Sequence, residues 1–341
     1  MPAFALALVA TAGSADAAST LSTSGAVVTY TAGATDVNDL TIEVDGTDVL
    51  FTDAHTINET GFCTKDSPTV ARCAESSVAS INVFLLDGAD TLSVLSINDP
   101  IGSADMGSGD DTIILGPSAN PITLDGIRAS VSLDGGGGAD TLIVKDTQDT
   151  SGDIVTVSLG SINTGTGDNF FGPGGSATFV QTETVSITTG TGNSLIRVRS
   201  SASGTSTTID AGAGDDLFQI SSDGTGQTGD LDGFLGPLTL LGGSGENGLL
   251  ISDADAPVGN IATIGPTSIS GLAPIPILYS ASGTFSQALL IRGSGQLDTF
   301  AISGTIAGAT IDIRTLGGTT RLSSPRTAPA RPAVSPRLRA G

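Results

Sequence analysis

A glycine-centred repeat constrains this chain more than any other feature. An alternating apolar run leads into a glycine turn, then an Asp or Asn, then a second apolar run. The clearest copies are Gly107-Ser-Gly109-Asp-Asp111-Thr-Ile-Ile-Leu115, Gly136-Gly-Gly138-Ala-Asp140-Thr-Leu-Ile-Val144 and Gly212-Ala-Gly214-Asp-Asp216-Leu-Phe218. A shorter copy is Asp87-Gly88-Ala-Asp90-Thr-Leu-Ser-Val94, and weaker ones place Asn169, Ser194, Asn247 and Asp298 at the key polar position. One copy is missing, in the Pro- and Gly-rich stretch Ile261–Pro276. The mean step is about 26 residues, room for roughly three short strands and three turns, or one coil of a β-helix. Period-2 runs such as Val131-Ser-Leu133 and Val185-Ser-Ile187 turn one face inward and the other to water. The glycines mark places where the chain turns with positive φ. The expected fold is therefore all-β: a parallel β-helix, or β-solenoid, of about ten coils with its polar turns in one line along one edge. A pair of β-sandwiches also has short strands and Gly-rich turns and is the runner-up.

Charge narrows the partners. There are 35 Asp plus Glu against 13 Lys plus Arg, a formal charge of −22. Five of the arginines (Arg321, Arg326, Arg331, Arg337, Arg339) lie in a C-terminal stretch without acidic residues, so the body is more acidic still. Such a body repels nucleic acid and attracts divalent cations. With 38% apolar residues it is too hydrophobic for a disordered chain. Trp is absent and Tyr scarce, which predicts a narrow interior of branched aliphatics.

The chain divides into four segments. Residues 1–18 read as a signal peptide, with an apolar run from Phe4 and an Ala15-Asp-Ala17 cleavage site. This places the protein outside the cell or at its surface. No later apolar run is long enough for a membrane span. Residues 19–80 form an N-terminal β module with a hairpin at Asp45-Gly46, suited to capping the open end of a solenoid. Its Cys63 and Cys73 are the only cysteines; in an exported chain they most simply form a disulfide. Residues 81–318 carry the repeats, and 319–341 are a Pro/Arg-rich tail expected to be disordered.

The repeats resemble the hemolysin-type (RTX-like) calcium-binding repeats of exported bacterial proteins, whose unit is G-G-x-G-x-D-x-apolar-x. The stretch with Asn38-Asp-Leu-Thr-Ile42, Phe51-Thr-Asp53, Gly61-Phe-Cys63 and Cys73 is similar to the leader segment of secreted actinobacterial members. The resemblance implies calcium held between successive turns by glycine carbonyls and the Asp carboxylate. Residue by residue, the ligands would come from Gly88 and Asp90, Gly107, Gly109 and Asp111, Gly136, Gly138 and Asp140, and Gly212, Gly214 and Asp216. The family's unit recurs every nine residues, whereas this one is far longer, and Asn169, Ser194 and Asn247 replace the ligand Asp. The other reading of these turns needs no ion: Asp and Asn at turns commonly bond their own backbone.

Two functions stay open. One is a secreted, non-enzymatic, calcium-binding structural or adhesive protein that meets cell-surface polymers or other copies of itself. The other is a polysaccharide-acting β-helix enzyme, a lyase or hydrolase on acidic polysaccharide, using Arg197 and Arg199, which share an outward face. The lack of aromatic platforms weighs against the enzyme. No catalytic triad or phosphate loop is legible.

Overall fold

The structure is a computed structural model. It describes residues 18–117, 123–163, 165–306 and 308–316, together with the backbone of 321–323 and 337–340. The leader read over 1–18 lies, except for its last residue, outside the described residues.

The described residues are all-β, with their strands in two long mixed sheets and no closed barrel among them. Among the described residues seven strands come first: β1 (Ser19–Ser24), β2 (Val27–Thr31), β3 (Asp39–Asp45), β4 (Asp48–Thr52), β5 (Ile57–Glu59), β6 (Thr64–Ser67) and β7 (Val70–Ala74). The pairs β1–β2, β3–β4, β4–β7 and β6–β7 are antiparallel, and at this end the outermost strands are β5, parallel to β1, in one sheet and β6 in the other. The Asp45-Gly46 hairpin joins β3 to β4 as expected, and Gly46 takes a left-handed φ of 66°. Cys63 and Cys73 are disulfide-bonded.

From β8 onward the chain alternates between sheets. β8 (Ser80–Phe84), β10 (Ile101–Asp105) and β12 (Ser130–Asp134) lie side by side in sheet A. β9 (Thr91–Val94), β11 (Thr112–Leu115) and β13 (Thr141–Lys145) lie side by side in sheet B. All these neighbours are parallel. Each lap supplies two strands, not three. The glycine turn occupies the third position and makes only isolated bridges, Asp87 to Ser108 to Gly137, because its left-handed residues interrupt a strand.

Two laps are interrupted. β14 (Ile154–Ser158), β15 (Ser161–Ile162) and β16 (Ser176–Val180) all lie in sheet A, with β15 antiparallel between the others. Alternation resumes with β17 (Thr184–Thr188), β18 (Leu195–Val198), β19 (Ser206–Asp210), β20 (Leu217–Ile220), β21 (Leu238–Leu241) and β22 (Glu246–Ser252). The second interruption lies in sheet B: β23 (Ile261–Ile264), β24 (Ser268–Ser270) and β25 (Ile277–Ser280), again with the middle strand antiparallel. It fills the Ile261–Pro276 stretch where the repeat is missing. β26 (Thr284–Gly293), β27 (Thr299–Ile302) and β28 (Ile311–Thr315) follow. β29 (Arg321–Ser323) and β30 (Arg337–Ala340) then pair parallel with β27 and β28. Of the tail read over 319–341 only these seven residues are described, and they pair along the edges of β27 and β28.

Strand alternation builds the core. Leu40, Leu92, Ile113, Leu142 and Val185 pair in register across sheet B and are fully buried. Ile42, Val94, Leu115, Val144 and Ile187 form a second such stripe two residues on. Thr91, Thr112, Thr141 and Thr184 stack on the outer face, where β-branched polar residues suit an exposed strand.

Candidate functional site: the turn columns and their heads

The glycine turns stack on one another, and this explains the glycines. A Cβ on Gly109 would lie 1.4 Å from the Gly88 carbonyl oxygen; on Gly138, 1.7 Å from that of Gly109; on Gly136, 2.0 Å from that of Gly107. Gly107, Gly109, Gly136, Gly138, Gly212 and Gly214 all have positive φ. Backbone hydrogen bonds join the turns, with the Gly137 N–H donating to the Gly107 carbonyl and the Gly109 N–H to the Gly137 carbonyl.

The polar residue after each turn forms a ladder. Its side-chain oxygen accepts the backbone N–H of the equivalent residue one lap earlier. Asp90 accepts from Asn38 at 2.7 Å, Asp111 from Asp90 at 2.7 Å, and Asp140 from Asp111 at 2.8 Å. Glu183, which the repeat motif does not identify, continues the series by accepting from Asp140 at 2.7 Å. A second ladder has Ser194 accepting from Asp153 at 3.3 Å, Asp216 from Ser194 at 2.8 Å and Asn247 from Asp216 at 3.1 Å. A third has Asp298 accepting from Asn260 at 2.8 Å. Asp, Asn, Ser and Glu all serve, because the position requires an acceptor oxygen.

The single line of turns expected from the sequence is thus three columns. The first leads from sheet A into sheet B, the second from B into A, and the third from A into B again. Each three-strand interruption shifts the motif by half a lap. Asn169 belongs to none of the columns: it lies in the loop of the first interruption, where its side chain accepts from the Ile154 N–H.

Asp90, Asp111, Asp140 and Asp216 are buried, and one oxygen of each, Oδ2, is buried without a hydrogen-bond partner. Burial raises all four carboxyls, Asp90 and Asp111 to about 6 and Asp216 to about 7. The neighbouring rungs Asp90 and Asp140 push Asp111 in the same direction.

The first residue of each column faces a further buried acid. Asn38 heads the first column, and its amide donates to Asp53 Oδ2 at 2.8 Å. Asp53 also accepts from the Tyr30 hydroxyl and from the backbone of Asp39 and Ala54. Asn260 heads the third column, and its amide donates to Asp253 Oδ2. Asp153 heads the second, and it faces Asp146. Asp146, Asp149 and Asp153 each bring a carboxylate oxygen within 4.8 Å of the others. Burial first, then the nearby acids, raises Asp146 and Asp153.

The glycine motif misses these head acids, but a second spacing marks two of them. Leu124-Asp-Gly-Ile127 and Leu231-Asp-Gly-Phe234 each precede a buried Asp by 22 residues, and Asp146 and Asp253 accept the Leu124 and Leu231 N–H groups. Each acid is followed seven residues later by its column head, within Gly152-Asp153 or Gly259-Asn260.

The basic pair is engaged. Arg197 lies 3.5 Å from Asp168, and Arg199 donates to the Ser222 carbonyl at 3.0 Å. Both line an open cavity with Thr156, Gln219 and Asp223. Among the described residues no helix is long and apolar enough to cross a membrane. Compared with known families and characterised proteins, the chain matches no family model and no curated protein.

Proposed function

We propose that this chain is an exported, non-enzymatic β-solenoid of two-stranded coils, stabilised by calcium and serving as a structural or adhesive rod. The parallel, in-register alternation between two sheets supports the solenoid over two separate sandwiches. The disulfide suits an oxidising compartment. The observation that carries the calcium reading is the set of buried, unpartnered Oδ2 atoms on Asp90, Asp111, Asp140 and Asp216. A row of buried carboxylates is costly unless protonated or bridged, and calcium accepts carboxylate, carbonyl and water oxygens in flexible geometry. Glycines 88, 107, 109, 136, 138, 212 and 214 are the proposed carbonyl donors beside those acids.

The test is thermal melting with excess calcium and with EGTA. A ligand that binds only the folded form at a hundred times its Kd stabilises by about 2.7 kcal/mol, a shift of several degrees. No shift refutes calcium-linked folding. The enzyme reading is tested by assaying polyuronate cleavage by the wild type and Arg197→Ala; cleavage by the first and not the second would restore it.

A further inference from the structure

The three column heads differ in one respect. Two are asparagines, Asn38 and Asn260, and each amide N–H donates to Oδ2 of a buried acid, Asp53 or Asp253; Asp53 Oδ2 accepts from the Tyr30 and Ser19 hydroxyls as well. At the third head the amide is replaced by a carboxylate, Asp153, set against Asp146. Both acids are at least 98% buried, since their exposures are 1% and 2%. Asp153 Oδ2 has no hydrogen-bond partner, whereas Asp146 Oδ1 is held by the Leu124 N–H at 2.6 Å. Two carboxyls thus meet where the sister positions pair an amide donor with an acceptor, so the pair needs either a proton shared between them or a cation bridging them.

Asp149 supplies the third side of the site. It is half-buried, so it opens the cluster to solvent, and it is fixed from outside by Ser151, whose backbone N–H donates to it at 2.7 Å. The oxygens of the three acids lie within 4.8 Å of one another, the span of two ligands on opposite sides of an ion held at about 2.4 Å. The open side leaves room for the water ligands that calcium retains.

We propose that Asp146, Asp149 and Asp153 form a divalent-cation site of calcium type that takes the place of the missing amide at the head of the second column. This site is separate from the turn aspartates, so it stands whether or not the columns themselves bind calcium.

The experiment compares wild type, Asp153→Asn and Asp149→Asn, using calcium chloride titration by calorimetry and melting in EGTA. Asp153→Asn copies the Asn38 and Asn260 heads. It should melt above the wild type in EGTA and bind one calcium fewer. Asp149→Asn keeps an oxygen for Ser151 and removes only a charge. It should weaken that calcium at least tenfold and raise the EGTA melting temperature by less than Asp153→Asn does, since it relieves repulsion without supplying the missing amide. Unchanged calcium stoichiometry in Asp153→Asn overturns the site and leaves the two acids sharing a proton. If Asp153→Asn melts at or below the wild type in EGTA, the amide comparison is wrong. A wild type that binds several calcium ions, with Asp153→Asn losing none, would retain the turn columns and reject this site; loss of all binding in Asp153→Asn would do the reverse.

Discussion

Single residues decide how closely the laps can approach. Gly109→Ala and Gly138→Ala would drive a Cβ into a carbonyl of the previous lap, at backbone angles of φ 141° and 149°. Each should cost about 3 kcal/mol or more in urea unfolding, whereas Gly137→Ala, which meets nothing within 4 Å, should be nearly neutral. The ladder makes a second contrast. Asp111→Ala leaves the buried Asp90 N–H without an acceptor and should cost about 2 kcal/mol. Asp111→Asn keeps the acceptor, as Asn247 does natively, and should cost little in EGTA. Titration follows from the same burial. In the folded chain Asp90 and Asp111 sit at about 6 and Asp216 at about 7, against an ordinary 3.8. The folded state therefore holds more protons than the unfolded state between those values. The associated stability is present below about pH 4 and is lost as pH rises through about 6 to 7. In EGTA the melting temperature should fall between pH 5 and pH 8; a rise would contradict the assigned burial.

Elements were legible where a local rule fixes them. The Val131-Ser-Leu133 and Val185-Ser-Ile187 alternations lie in β12 and β17, and Asp45-Gly46 makes the β3–β4 hairpin. The division of each lap was not legible, because turn residues with left-handed glycines still hydrogen-bond from lap to lap and are spaced like a strand. The three-strand interruptions were hidden for another reason. β15 has only two residues and β24 three, too short for any periodicity, and their placement depends on pairing with distant strands. For the site, Asp90, Asp111, Asp140 and Asp216 could be read from the glycine spacing, whereas Asp146 and Asp153 follow a different spacing whose meaning needs both interruptions. The terminal hairpins carry their own prediction. The Cys63–Cys73 bond closes a loop of ten residues next to the β6–β7 pair. Its loss should cost about 2–3 kcal/mol on a chain-entropy estimate. Because it lies at one end, hydrogen exchange after reduction should quicken first in β4, β6 and β7.

For the whole molecule, the two sheets set the shape. Strands stack at about 4.8 Å, so sheets of this length extend roughly 70 Å along the stack. Small-angle scattering of the isolated chain should give an elongated particle, and an isometric one would exclude the solenoid. The antiparallel hairpins lie at the N-terminal end, where β5 and β6 are outermost, while at the other end β29 and β30 continue the parallel stack. The interruptions have a consequence that depends on parity. Each moves the turn column to the other side of the stack, so an odd number would leave the first and last columns on opposite sides, and an even number restores the original side. The described residues contain two, and Asn38 and Asp298 accordingly precede strands of the same sheet. Excising one of the two cleanly would put every turn beyond it on the opposite side, and any contact that relies on the first and last columns lying on one side would be lost even if the fold survived.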